Sequence, residues 1–464
     1  MHDLPEWLIN EATKRGASYA EARYEKVKAS AFLLKNGEAE LGHLDESEGV
    51  SVKLIAGGKA FFSTRTLTKD NCSRLLDNAL RMAQKAKVDI KLSEEQPVSI
   101  KWEVPAKKPI ADMDVADKLS YLKDLDKLIV SKGDVPGRYL SLTDAHTEKL
   151  ILTSDGGKVE CVTPSVNMLY HMTVQVEEKT AQRFWQYAGS AGYELLDEWD
   201  LQQILSDEVT SMTRALTKGE RPPQGKLDLV AAPQVVGIMC HESVGHPTEA
   251  DRILGFEAAQ AGKSFITQEK LDTRIGSDAI TIVDDPTVSN SFGYYQADDE
   301  CMPARRRYLY KQGIITDLLH NRETAALMDT TTTASARASA VDRESMVRMA
   351  NTFLLEGDNS EEELIEGVSK GVFMRNFMEW NIDDSRLNQK YVGMDAWLIE
   401  DGELTKPLLN PSLEITTPQL WSSVDAVANN TEFHAGTCGK GEPMQAIPVW
   451  MGGPSMRLRQ VMLK

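Results

Sequence analysis

Two histidines flank a glutamate in the run His241-Glu242-Ser243-Val244-Gly245-His246, and Cys438 stands almost two hundred residues later in Gly436-Thr437-Cys438-Gly439-Lys440-Gly441. Neutral imidazole and thiolate are donors that zinc prefers. Three protein donors leave one position open for water, and a carboxylate that is not a ligand can take that water's proton. A chain that uses these residues together must fold its far end back onto the histidine segment. The pattern therefore points to a metallohydrolase with a long-range closure, in which Glu242 is the catalytic base.

The spacing restricts the local structure further. Histidines four apart leave one face of a helix about 40° apart. Here they are five apart, and five steps on a regular α-helix leave the rings roughly 140° apart around the axis and ~7.5 Å apart along it. A straight helix cannot aim both at one ion. Either a one-residue π-bulge makes five steps behave like four, or the helix ends between the histidines and His246 hangs from an irregular segment. Gly245 and Pro247 beside His246 place the distortion between Ser243 and His246.

Cys438 is the favoured third donor, because a glycine-rich loop containing a lysine is an unusual setting for a packed thiol. His434 and Glu249 rank after it. Glu249 and Asp251 are also placed to orient the imidazoles. Cys240 points about 100° away from its neighbour His241 and reads as a packing residue. Cys72, Cys161 and Cys301 have no metal spacing.

At 464 residues the chain is long enough for two cores, and Pro222-Pro223-Gln224-Gly225 is a natural boundary between domains at 1–221 and 222–464. Before it, the pattern predicts helices over 5–14, 67–87, 113–131 and 194–217. Hairpins are expected around Asn36-Gly37 and Gly57-Gly58, and strands over 138–153 and 158–176. This is an α+β domain with a mostly antiparallel sheet and packed helices. After the boundary, a strand over 227–231 leads to a helix that starts at Pro233 and carries His241. Strand pairs follow, with Cys438 on a late loop, so the second domain is β-rich with one metal-bearing helix.

Charge and targeting signals narrow the partners. Lys and Arg number 52 against 70 Asp and Glu, a net charge of −18, which excludes a surface built for nucleic acid. No apolar run approaches the ~20 residues of a membrane span, and the opening Met1-His2-Asp3-Leu4 lacks a secretory signal. Five scattered cysteines suit a reducing compartment, so the expected location is the cytoplasm.

Three smaller features carry expectations of their own. The run Arg305-Arg306-Arg307 is expected to pair with Asp298-Asp299-Glu300, and Glu361-Glu362-Glu363 after Ser360 to open a helix. The small polar stretch from Thr330 to Ser339 reads either as a loop beside a passing peptide or as plain surface.

The block 238–251, Asp284-Asp285-Pro286 through Ser291-Phe292-Gly293, Pro303-Ala304-Arg305-Arg306, Arg348-Met349-Ala350-Asn351-Thr352 and the cysteine loop resemble, in this order, the TldD/PmbA family associated with DNA gyrase. The segments Gly16-Ala17-Ser18-Tyr19-Ala20-Glu21-Ala22-Arg23 and Gly49-Val50-Ser51-Val52 extend the likeness to the N-terminal half. Only the TldD kind of subunit carries both histidines and the late cysteine. The resemblance implies a zinc metalloprotease that cuts small or unfolded peptides threaded in extended form. His241, His246 and Cys438 would be its ligands and Glu242 its base. It also implies a homodimer or a heterodimer with a metal-free PmbA-type subunit. The chain departs from the family at Phe377-Met378-Glu379-Trp380-Asn381, where many relatives have a glycine-rich stretch. Two other readings remain open: a non-hydrolytic subunit that holds peptides for a partner, and a zinc amidase or deaminase on small molecules.

Overall fold

Long antiparallel strands with tight glycine turns organise the first half of the chain. The computed structural model describes residues 3–86, 88–257 and 262–464. Tyr19–Lys35 and Glu38–Ile55 form a hairpin around Asn36 and Gly37, both at positive φ, as a two-residue turn of this kind requires. Lys59–Thr64, Gly137–Thr153, Lys158–Val176 and Lys179–Gly189 extend the sheet antiparallel, and Ser99–Glu103 joins it parallel to Lys158–Val176. Helices Asp3–Lys14 and Lys69–Ala86 bury Leu8 and Leu76 against Val50, Val52 and Leu54. Lys87, expected at the end of the second of these helices, lies outside the described residues, as do Met1 and His2 of the opening run.

The expected helix 113–131 is Val115–Lys132, capped by Asp114, whose side chain accepts from the Asp117 amide. The expected helix 194–217 is two helices, Glu194–Glu198 and Leu201–Lys218. Asp200 breaks it in the left-handed region at φ 46° and caps the second helix by accepting from the Gln203 amide. Aspartate tolerates that conformation and is a favoured cap, two properties that apolar spacing does not register.

The second half places a short helix between its two large sheets. Gly225–Ala231, Lys370–Met374, Ala396–Glu400 and Met456–Leu463 lie at the centre of a nine-stranded sheet. Ile282–Asp284, Asn351–Leu354, Gln445–Gly453 and Glu432–Lys440 belong to a six-stranded one, with the last strand at its edge. Pro233–Cys240 is the helix between them, and Val235, Val236, Ile238, Met239 and Cys240 are all buried. Its approach to the second sheet is close: a Cβ on Gly237 would sit 3.1 Å from the Gly452 nitrogen. The fold is α+β, and no described helix is long and apolar enough to cross a membrane.

The arginine run is ion-paired, but not with the expected partners. Arg305 meets Asp317, Arg306 meets Asp285 and Arg307 meets Asp284. Asp299 and Glu300 instead reach the first sheet, where Arg23 and Lys149 pair with Asp299 and Lys53 pairs with Glu300 and Glu21. Strand direction decides this, since Arg307 begins the strand that pairs with Ile282–Asp284. The stretch from Thr330 is built into the interior at its centre: Thr333 and Ser335 are buried, and Thr333 Oγ1 accepts from the His320 amide at 2.6 Å. The acidic run after Ser360 opens the helix Glu361–Glu366 with a reciprocal cap between Ser360 and Glu363.

The junction between the first sheet and the acidic run is sensitive to pH. Burial pushes the Glu21 carboxyl up to about 7, with Lys53 opposing the shift and Glu300 reinforcing it. From its ordinary value of 4.5 up to about 7, the folded protein holds a proton there that the unfolded chain has released. Stability from this group is therefore lost as pH rises through that window. Thermal melts from pH 5 to 8 should show Glu21→Gln losing part of the wild-type decline. Parallel curves for the two proteins would contradict the assignment.

Candidate metal centre

The awkward histidine spacing is resolved by a π turn. After Pro233–Cys240 the segment His241–Gly245 is π-helical, and the His246 amide donates to the His241 carbonyl five residues back. A short 3-10 turn, His246–Thr248, follows. Widening one turn by a residue lets a five-residue step act as four. Side chains support the widened turn. Ser243 Oγ donates to the Met239 carbonyl at 2.5 Å and accepts from Trp421 Nε1 at 2.9 Å, while Thr248 Oγ1 donates to the Val244 and Gly245 carbonyls. Gly245 is required for space and not for an unusual dihedral. Its φ is −56°, and a Cβ there would fall 1.9 Å from Met349 Sδ.

The two imidazoles come to 4.8 Å between centroids, and the donor atoms of His241, His246 and Cys438 all lie within 4.8 Å of one another. Cys438 comes from the edge strand Glu432–Lys440, not from the expected loop; the glycines that suggested a loop flank it within the strand. Cys438 Sγ lies 3.6 Å from His246 Nε2. Zinc bonds of about 2.0–2.1 Å to nitrogen and 2.3 Å to sulfur give a tetrahedral edge of about 3.5 Å, so this pair fits the ion. His241 Nδ1 is buried with no hydrogen-bond partner, which also suits a donor set shaped for a cation. Burial alone would raise the Cys438 thiol, but His246 and His241 outweigh it and hold the thiol well below its usual range.

The alternative donors have other tasks. Glu249 accepts from His246 Nδ1 at 2.9 Å and from Arg252 Nε at 2.6 Å, with Lys440 Nζ at 3.3 Å. Burial works against its charge, but Lys440, Arg252 and His246 keep it well below the usual carboxylate range. An anion at Nδ1 fixes the tautomer that presents Nε2 toward Cys438. His434 packs edge-to-face on Trp185 at 5.6 Å, and burial together with Arg183 pushes it down to about 3, so it stays neutral outside the cluster. Cys240 is fully buried in the apolar core.

Glu242 faces the same cavity, of about 540 Å³, as the three donors. It forms an ion pair with Arg386 Nη1 and accepts from Trp380 Nε1 at 3.2 Å. Burial would raise its carboxyl, but Arg386 and the imidazoles hold it below its usual value, so it is a carboxylate at neutral pH. Arg386 and Trp380 were not legible as partners of Glu242. They lie about 140 residues away, and an isolated arginine carries no motif. Two motif residues act through the scaffold. Arg348 donates to the Cys438 carbonyl at 2.5 Å, and Lys440 Nζ donates to Asp251 Oδ1 at 2.7 Å and to the Val347 carbonyl at 2.8 Å.

Three strands frame the cavity, each paired on one side only among the described residues: Lys179–Gly189, Phe377–Ile382 and Glu432–Lys440. They are held together by Arg183, which donates to the Phe377 carbonyl at 2.6 Å, and by the contact of Thr437 Oγ1 with Gln186 Oε1 at 3.4 Å.

Comparisons with known proteins bear on the family and the fold. Family models of the PmbA/TldA metallopeptidase match in three parts: domain 1 over residues 20–86, the central domain over 108–217 and the C-terminal domain over 224–464. A metalloprotease of Methanothermobacter thermautotrophicus is 29% identical over 96% of this chain and 95% of its own. A protein of Saccharolobus solfataricus named a zinc metalloprotease TldD homolog is 24% identical over 98% of both chains. Among solved structures, a Thermotoga maritima protein described as a candidate modulator of a DNA gyrase superposes with a TM-score of 0.81 at 16% identity, covering 100% of both chains. TldE of Thermococcus kodakarensis gives 0.76 at 15% identity over 99% of both.

Neutralising the carboxylate behind His246 should weaken metal binding without removing a donor. Glu249→Gln is expected to lower zinc affinity by about 10–100-fold in competition with a chromogenic chelator. An affinity equal to wild type would show that Glu249 does not orient the imidazole.

Proposed function

Because the chain belongs to the PmbA/TldD metallopeptidase family, we propose that it is a zinc peptidase that hydrolyses small or unfolded peptides held in extended form. His241, His246 and Cys438 are the metal ligands in this reading, and Glu242 is the general base. The observation that carries it is the convergence of the three donors, from a π turn and a distant edge strand, beside a buried carboxylate in one cavity.

Zinc held by His241, His246 and Cys438 would supply a Lewis acid with a net charge near +1 once the thiolate is counted. Glu242 takes a proton from the water and returns it to the leaving amine. General acid–base work of this kind is worth about 10²–10⁴-fold. Arg386 keeps Glu242 ionised before reaction and, with Trp380, fixes its plane. Each carboxylate oxygen keeps a second lone pair for the water. Glu249 holds His246 in its donor tautomer.

The unpaired edge of Glu432–Lys440 supports an extended substrate. A peptide laid along it would pair through main-chain groups, which accommodates many sequences. The reading as a non-hydrolytic holder of peptides would need a damaged donor set, and this one is whole. The active form is a homodimer or a heterodimer with a PmbA-type subunit, working in the cytoplasm and without nucleic acid as partner.

Zinc content and peptide digestion by mass spectrometry, with and without a PmbA-type subunit, test this directly. Wild type and Glu242→Ala should both carry equimolar zinc, with hydrolysis in the variant reduced by about 10²–10⁴-fold. His246→Ala and Cys438→Ala should lose the metal. Full zinc in Cys438→Ala would disprove the ligand set, and unchanged turnover in Glu242→Ala would disprove the base.

A further inference from the structure

Apart from Glu242, Arg386 and the three donors, no ionisable side chain lines the reaction cavity among the described residues. Glu242 and Arg386 offset each other, so the remaining wall is uncharged. It is also apolar and open. Phe184, Met378 and Trp380 are 53%, 37% and 42% exposed, and all three line this one cavity. Single exposed apolar side chains are ordinary, but three around one reaction centre form a patch that a ligand would cover.

Rings behind the patch make it firm. Trp380 meets Phe377 edge-to-face at 5.5 Å, and Phe377 meets Trp185 in the same way at 5.5 Å. Arg183 lies over Trp185 at 4.6 Å and is held by Glu208. Trp380 has a second tie, because its Nε1 donates to Glu242 Oε1 at 3.2 Å. One side chain therefore offers an apolar face to the cavity and a hydrogen bond to the base. It stands in the segment where the sequence departs from the family pattern.

We propose that Trp380 selects the substrate and positions Glu242, and that the preferred substrates are extended peptides with a large apolar or aromatic side chain next to the scissile bond. This inference rests on the peptidase reading. A substrate side chain stacked on the indole takes its own apolar surface and that of the patch out of water. Glycine forgoes that gain, and a charged side chain would also lose its hydration against a wall with no counter-charge. Pocket discrimination of this type is roughly ten- to two-hundredfold in kcat/KM.

The test is digestion of a mixed peptide library by the zinc-loaded protein, with cleavage sites read by mass spectrometry and kinetics on matched peptides. Wild type should cut beside Phe, Leu, Met or Trp at least about tenfold faster than beside Gly, Ser or Asp. Trp380→Ala should lose this preference, mainly through a raised KM for the apolar peptides. Trp380→Phe should keep the preference and lower kcat by about tenfold, the scale of one hydrogen bond to a charged group. Zinc content and melting temperature equal to wild type would confirm that both variants fold, and Met378→Ala should weaken the preference independently. Wild-type cleavage without side-chain preference would overturn the inference and leave the peptidase reading standing. No cleavage of any peptide would overturn both. A Trp380→Ala protein with an altered oligomeric state and an unchanged cleavage profile would also overturn it, assigning the patch to a subunit contact.

Discussion

The centre depends on one closure: the buried ammonium of Lys440 reaching Asp251 and Glu249. Lys440 lies two residues beyond Cys438, and Glu249 three beyond His246, so the ion pairs that fasten two distant segments also fix the donors they carry. Removing one partner of a buried pair costs ~3–5 kcal/mol. A domain has ~5–15 kcal/mol of stability in total. The charges behind the donors balance, with Lys440 and Arg252 against Glu249 and Asp251, while Arg386 offsets Glu242 in the cavity. A surround in which each cation is paired with a carboxylate leaves the thiolate as the donor set's own charge.

The motifs shared with the family divide into chemistry and scaffold. Asp284 is buried with Arg307, accepts from Thr352 Oγ1 at 2.7 Å and receives the Ala350 amide. Asn351 donates to the Asp285 carbonyl at 2.6 Å and to Ser291 Oγ at 2.9 Å. None of these touches the donor atoms. They lock the strand whose neighbour Met349 fills the space that Gly245 leaves open, and Arg348 beside it holds the Cys438 carbonyl. Residues that look catalytic in a motif can thus serve to hold a π turn and an edge strand in register.

How much of this was legible follows from the range of each interaction. The first hairpins were readable because Asn36-Gly37 and Gly57-Gly58 settle the turn locally, and the distortion at His246 followed from helical arithmetic alone. Local signals misled where a glycine-rich run became an edge strand at Cys438, and where Asp200 stopped a helix that apolar spacing would have continued. Contacts across the fold left no mark. Arg305, Arg306 and Arg307 have acidic neighbours in sequence, yet their partners are set by the strand pairing with Ile282–Asp284 and by Asp317. Arg386 and Trp380 reach Glu242 only because a third element is folded over the cavity.

Edge strands are usually shielded, since unpaired main-chain groups invite pairing with other chains. Here three such edges from three sheets meet at the donor cluster. The edges line one cavity of about 540 Å³ and are tied to one another by Arg183 and by the contact of Thr437 with Gln186. In the proposed reading, these edges would offer main-chain hydrogen bonds to an extended peptide beside Glu242 and Cys438. On that reading, main-chain pairing would set the extended form of the substrate, and the apolar wall would set its side-chain preference.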